Sequence, residues 1–178
     1  MIWGFLLLLQ SGSTQITQFE IPDFKSIFVV LAEEHEQSLI SSFGHVFVCL
    51  PQNKITSTAD LLNEPVLNFG ADLSSQGKGM WVGNYRLKKF HELVRQNIHF
   101  ENRSLTLFEL SVTDDQIDAL KKELSIRVGR EYRYNFLLKN CGFYISDWLN
   151  LSEESSYSIF YETPRQSIEK ILANYTLL

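Results

Sequence analysis

The stretch from Tyr132 to Leu149 constrains what this chain can fold into more than any other. A polar break at Lys139 and Asn140 gives way to Phe143, Tyr144, Trp148 and Leu149, an apolar set at helical spacing. A helix therefore begins at the break, with Cys141 on its first turn. Unpaired backbone N–H groups and the positive end of the helix dipole favour thiolate there, and thiolate is the reactive form. Two readings of Cys141 stand side by side: a small buried hydrophobe among aromatics, the commoner role, or a nucleophile. The second needs a base.

The rest of the chain narrows the context. Its 178 residues suit one domain with a substantial core. A net charge of −5 argues against a nucleic-acid surface, which needs a basic field. The two cysteines, Cys49 and Cys141, are too few for a disulfide framework or a common structural zinc site, although one bridge between them stays open for an exported protein. There is no histidine pair at metal-ligand spacing and no glycine-rich phosphate loop, so neither a metal nor a cofactor is expected. Ile2 to Leu9 form an apolar run followed by Ser11, Gly12 and Ser13, like the core and cleavage zone of a secretory signal, though no Lys or Arg precedes Lys25. Residues 1–15 are thus read as a signal-like segment and 16–178 as a single exported domain. With no later stretch apolar and long enough to span a bilayer, the domain is expected to be soluble or peripheral.

Taken in order, Ile27 to Leu31 reads as a buried strand and Glu33 to Ser42 as a loop. Phe43 to Leu50 alternates as a second strand, with His45, Phe47 and Cys49 on one face and Val46, Val48 and Leu50 on the other. Val66 to Phe69 is a short third strand stopped by Gly70. Asn68 interrupts its apolar run and needs a hydrogen-bond partner, for which His45 is a candidate beside the ordinary reading of an edge asparagine. Asp72 to Gly83 reads as a loop. Leu87, Phe90, Leu93 and Val94 recur at helical spacing and predict a helix over Tyr85 to Gln96, with His91 off its apolar stripe. Leu105 to Val112 is strand-like. Thr113 and Gln116 then form a capping box ahead of the stripe Ile117, Leu120, Leu124 and Val128, stopped by Gly129. Tyr157, Phe160 and Tyr161 make an aromatic patch, and a last helix starts near Pro164 with Ile168, Ile171 and Leu172 inward.

A thiol at a helix start, an imidazole on a strand and a polar side chain on the next strand are the parts of a cysteine nucleophile with its base and orienter. Their order along the chain, His45, Asn68, Cys141, is the reverse of a papain-type peptidase and resembles a circularly permuted papain-like domain, as in lecithin-retinol acyltransferase relatives and permuted NlpC-type proteins. Ser41 to His45 after an apolar strand, Leu67 to Gly70, Leu110 to Gln116 ahead of a helix, and Tyr132 to Phe136 with Asn140 and Cys141 together resemble the Lnb N-terminal periplasmic domain family of bacteria. The resemblance implies an exported α+β domain, a small antiparallel sheet packed against helices with the nucleophile cysteine at a helix N-terminus. It further implies a Cys/His site acting on a lipid or an acylated or peptide substrate of the cell envelope, with peripheral membrane contact. Carried over by position, Cys141 is the nucleophile and His45 the base; Asn68, inferred from its place on the strand after the histidine, is the third member, and Ser42, Gly44, Tyr134, Asn135 and Asn140 are expected to bind substrate. The chemistry so implied is a thiol-dependent acyltransferase or hydrolase. A cell-wall amidase or peptidase and a non-catalytic binding domain are the alternatives, since a Cys/His pair alone does not name the acyl group.

Overall fold

The computed structural model describes residues 20–35, 43–72, 81–149 and 163–175. Six strands form one sheet: β1 (Ile27–Ala32), β2 (His45–Cys49), β3 (Pro65–Asp72), β4 (Trp81–Lys89), β5 (Leu105–Leu110) and β6 (Tyr132–Tyr134). The spatial order is β5-β1-β2-β3-β4-β6, and every neighbouring pair is antiparallel. Alternation in β2 does what a period of two requires. Val46 and Val48 join the core on one face, and Phe47 and Cys49 join a second core on the other.

Three helices cover the first face: α2 (Asp114–Arg127), α3 (Cys141–Trp148) and α4 (Pro164–Asn174). They bury Ile117, Leu120, Leu124, Tyr144, Ile145, Trp148, Ile168 and Ile171 against Val29, Leu31, Leu67 and Phe69. The short helix α1 (Phe90–Val94) and a 3-10 turn at Thr58–Asn63 close the second face over Val30, Phe47, Cys49 and Val66. The molecule is therefore α+β, with a six-stranded antiparallel sheet layered between helices.

Local signals held where they were complete. The Thr113 and Gln116 side chains cap α2 reciprocally, and Gly129 leaves it at φ 82°. Thr163 and Gln166 repeat the device for α4, with Pro164 in the first turn. The helix expected over Tyr85 to Gln96 is a correction: Tyr85 to Lys89 are strand, Phe90–Val94 alone is α-helical, and Arg95–Phe100 is a π-helical turn. Tyr85 and Leu87 pack on the first face as a strand alternates, while Phe90, Leu93 and Val94 pack on the second. The apparent helical stripe was two elements read as one. Gly70 does not stop β3, which runs on to Asp72, and Trp81 to Gly83 open β4 instead of belonging to a loop. The signal-like segment 1–15, Ser42, and the patch at Tyr157, Phe160 and Tyr161 lie outside the described residues.

Candidate functional site

The site forms where β2 begins. Gly44 leads into that strand at φ 72°, a left-handed backbone that a side chain would strain, and a Cβ there would meet the Ala32 carbonyl at 3.1 Å. His45 is the first residue of β2 and lies half-buried. One strand away, Asn68 pairs across from Phe47 in β3, so its side chain stands on the same face as His45 and diagonal to it. The His45 Nε2 to Asn68 Oδ1 distance is 2.6 Å. The polar residue inside an apolar strand has the partner it needed, and Nδ1 is left to the thiol.

Cys141 arrives from the other face of the sheet. It is the first residue of α3, buried at 3% exposure, with Asn140 as the helix cap. The Asn140 Oδ1 accepts from the Phe143 N–H at 3.1 Å, and its Nδ2 donates to the Phe136 carbonyl at 3.2 Å. Farther along α3, the Tyr85 hydroxyl donates to the Tyr144 carbonyl at 2.6 Å, and Arg127 pairs with Asp147. These bonds tie α3 to the sheet and to α2, which holds the sulfur over the start of β2.

Gly142 sets how closely α3 meets α4. A Cβ there would lie 2.7 Å from the Ser167 Cβ and closer still to its Oγ. Gly142→Ala should therefore lower stability by about 1–3 kcal/mol, the usual cost of overpacking. Urea denaturation is the measurement, and a second change, Ser167→Gly, should recover part of the loss by clearing the obstructing side chain.

Electrostatics at the pair run one way. Burial raises the Cys141 thiol, but the His45 charge, a hydrogen bond to His45 and the Val46 and Gly142 backbone N–H groups outweigh it and hold the thiol below its ordinary value. Burial likewise opposes the charged form of His45, yet the Cys141 charge, its hydrogen bond and the Asn68 bond raise the imidazole above its ordinary value. Both partners thus favour thiolate and imidazolium. Cys49 is the contrast. Burial, then the Glu64 carboxylate, push its thiol up to about 12, and neither cysteine is in a disulfide.

A cavity of about 240 Å³ opens beside the pair. Gly44, Tyr134 and Asn140, expected at a substrate site, line it together with His45, Asn68 and Cys141. Asn135 shapes the turn ahead of α3 instead: it is exposed, and its Oδ1 accepts from the N–H groups of Leu137 at 2.8 Å and Leu138 at 3.1 Å. Burial, with the Cys141 charge second, raises the Tyr134 phenol, so it lines the cavity with Cys141 as a neutral hydroxyl.

The far wall went unread in the sequence. Arg86, Lys88, Glu101 and Arg103 line it. Arg103 sits between Asn102 and Ser104 in a polar run, which ordinarily marks a solvated turn, and the helix expected over 85–96 gave Arg86 and Lys88 no cavity to face. Among the described residues no cluster of His, Cys, Asp and Glu could hold a metal ion. No helix among them is long and apolar enough to cross a membrane.

A family model described as the Lnb N-terminal periplasmic domain matches residues 19–173. No curated protein and no solved structure matches the chain.

Proposed function

From the premise that this chain belongs to the Lnb N-terminal periplasmic domain family, and is thus a periplasmic, envelope-associated domain, we propose that it is a thiol-dependent acyltransferase or hydrolase built on a permuted papain-like plan. The observation that carries this reading is the connected series Cys141, His45 and Asn68, with the charges of the first two displaced toward thiolate and imidazolium.

In the first half-reaction the Cys141 thiolate attacks the carbonyl carbon of an ester or amide. The new C–S bond pushes the carbonyl electrons onto oxygen, and N–H groups at the start of α3 stabilise that oxyanion. When the intermediate collapses, the bond to the alcohol or amine breaks and the imidazolium of His45 supplies the departing group with its proton. The acyl group remains as a thioester. His45, now neutral, takes a proton from the acceptor, water or an amine, as the acceptor attacks and the thiolate leaves. Asn68 accepts from the ring Nε2–H throughout and keeps Nδ1 turned to the sulfur. Family membership makes an envelope lipid the first acyl donor to try, ahead of a cell-wall peptide.

Incubation with bacterial phospholipid vesicles should add a fatty-acyl mass to the Cys141 peptide, removable by neutral hydroxylamine and absent in Cys141→Ser. Turnover of cell-wall peptide with no lipid adduct would move the assignment to an amidase. Ligand binding without adduct or turnover would leave a binding domain.

A further inference from the structure

Arg103 has no role in the steps above, yet its surroundings are unusual for an arginine. The side chain is 4% exposed and pairs through Nη2 with Glu101 Oε2 at 2.7 Å. Its Nε is buried and has no hydrogen-bond partner among the described residues. A guanidinium meeting a carboxylate with both edges would use Nε as well; here that donor stays unpaired, on a residue that lines the cavity. The backbone is built to deliver it. After the π-helical turn, Asn102 takes a left-handed φ of 50°, and the Arg103 N–H donates to the Asn97 carbonyl at 2.8 Å.

Charge on this wall points the same way. Arg86 stands directly across from Asn68, and Lys88 lies two positions along the same strand face. With Arg103 they bring three cations to one carboxylate, Glu101, in a chain whose net charge is −5. Arg86 is exposed and Lys88 half-buried, so the buried charge that calls for a facing anion is that of Arg103, which Glu101 meets through one nitrogen alone. Arg103 and Cys141 line the same cavity, so one substrate lodged there can meet both.

We propose that Arg103, flanked by Arg86 and Lys88, forms an anion subsite of the Cys141 cavity that holds an oxyanion, phosphate or carboxylate, carried by the acyl substrate. The proposal rests on the thiol reading of Cys141 and names the class of substrate it accepts: an acyl compound with an anionic group near the scissile bond. Arg103 is the specific element, because its buried guanidinium is held in one orientation by Glu101 and keeps an unpaired donor, while Arg86 and Lys88 add attraction at the mouth.

Iodoacetate and iodoacetamide test it on the full chain, since each forms the same S–C bond and expels iodide, and they differ only in carboxylate against amide. The ratio of their rates at Cys141 should exceed the ratio for a small free thiol by about tenfold or more, the weight of a charge-assisted hydrogen bond. Inorganic phosphate or acetate should lower the iodoacetate rate selectively. Stronger protection by phosphate points to a phosphate-bearing substrate, and stronger protection by acetate to a carboxylate. Arg103→Gln with Glu101→Gln, which removes both charges of the buried pair, should bring the ratio down to what His45 alone supports. Changes in thiolate fraction common to both reagents cancel in that ratio. If the double variant fails to fold, Arg86→Gln and Lys88→Gln, at more exposed positions, should each lower the ratio by a smaller factor. A wild-type ratio equal to that of the free thiol, with no protection by either anion, overturns the subsite even if Cys141 alkylates rapidly with iodoacetamide. A Cys141 that reacts no faster than the free thiol with either reagent overturns the thiol reading itself.

Discussion

His45→Ala should slow alkylation of Cys141 by iodoacetamide at pH 6 by about tenfold or more, because each unit by which the thiol moves up costs a factor of ten in thiolate. In the intact protein the imidazolium offsets the burial that would otherwise keep the sulfur protonated. Removing the ring leaves burial in place and takes away both the charge and the hydrogen bond, so the thiol moves up. The sign is fixed by the two directions together. Cys141 titrates below an ordinary thiol, so alkylation persists as pH falls below 8 and fails only once pH passes through the lowered value. His45 titrates above its ordinary value of 6.5, so the imidazolium is lost only as pH rises past the raised value. Acyl transfer, which needs thiolate and imidazolium at once, should therefore follow a bell whose acid limb belongs to Cys141 and whose alkaline limb belongs to His45, both as properties of the pair. In His45→Ala the acid limb should shift upward and the alkaline limb should vanish. Cys49 serves as the internal control, since burial and Glu64 hold it protonated across this range. A variant that alkylates at the wild-type rate at pH 6 would remove the imidazole from the site.

Trp148→Ala should cost about 3–5 kcal/mol of stability, as large aromatic truncations in cores do. The indole is fully buried, with its edge toward Phe24 at a centroid distance of 6.5 Å and its Nε1 donating to the Leu120 carbonyl at 3.2 Å. It joins α3 to α2 and to the segment ahead of β1. Against total stabilities of about 5–15 kcal/mol this is a large share, and the melting temperature should fall by roughly 6–20 °C. Because Trp148 ends the helix that Cys141 begins, the loss loosens the element that carries the sulfur. Trp148→Phe keeps most of the apolar contact and should cost markedly less. Thermal and urea denaturation of the two variants give the comparison, and a loss under about 1 kcal/mol for the alanine variant would mean that α3 is held mainly by its polar ties to Tyr85 and Arg127.

What could be read along the chain was what neighbouring residues decide among themselves. The Thr113 and Gln116 box, the Ile117, Leu120 and Leu124 stripe, the alternation of β2 and the Asn140 break before Cys141 each need only a few adjacent positions, and each formed as its local chemistry demands. The pairing of Asn68 with His45 was legible for a similar reason, since two consecutive strands with known alternation leave few partners for a half-buried amide. Tyr85 to Lys89 were beyond such reasoning. Their strand state comes from the eight-residue register of β4 with β3, and long-range pairing overrides a helical spacing that spans two elements. Arg103 was illegible because a charged residue in a polar turn has no sequence mark of burial; only the π-helical turn and the packing over β2 and β3 bring it inside. The meeting of Cys141 and His45 lies between these cases. Residue chemistry nominated both, but the helix lies on one face of the sheet and the histidine side chain on the other, and they meet only because both stand where β2 begins. That juxtaposition is a property of how the layers stack, and no stretch of sequence carries it.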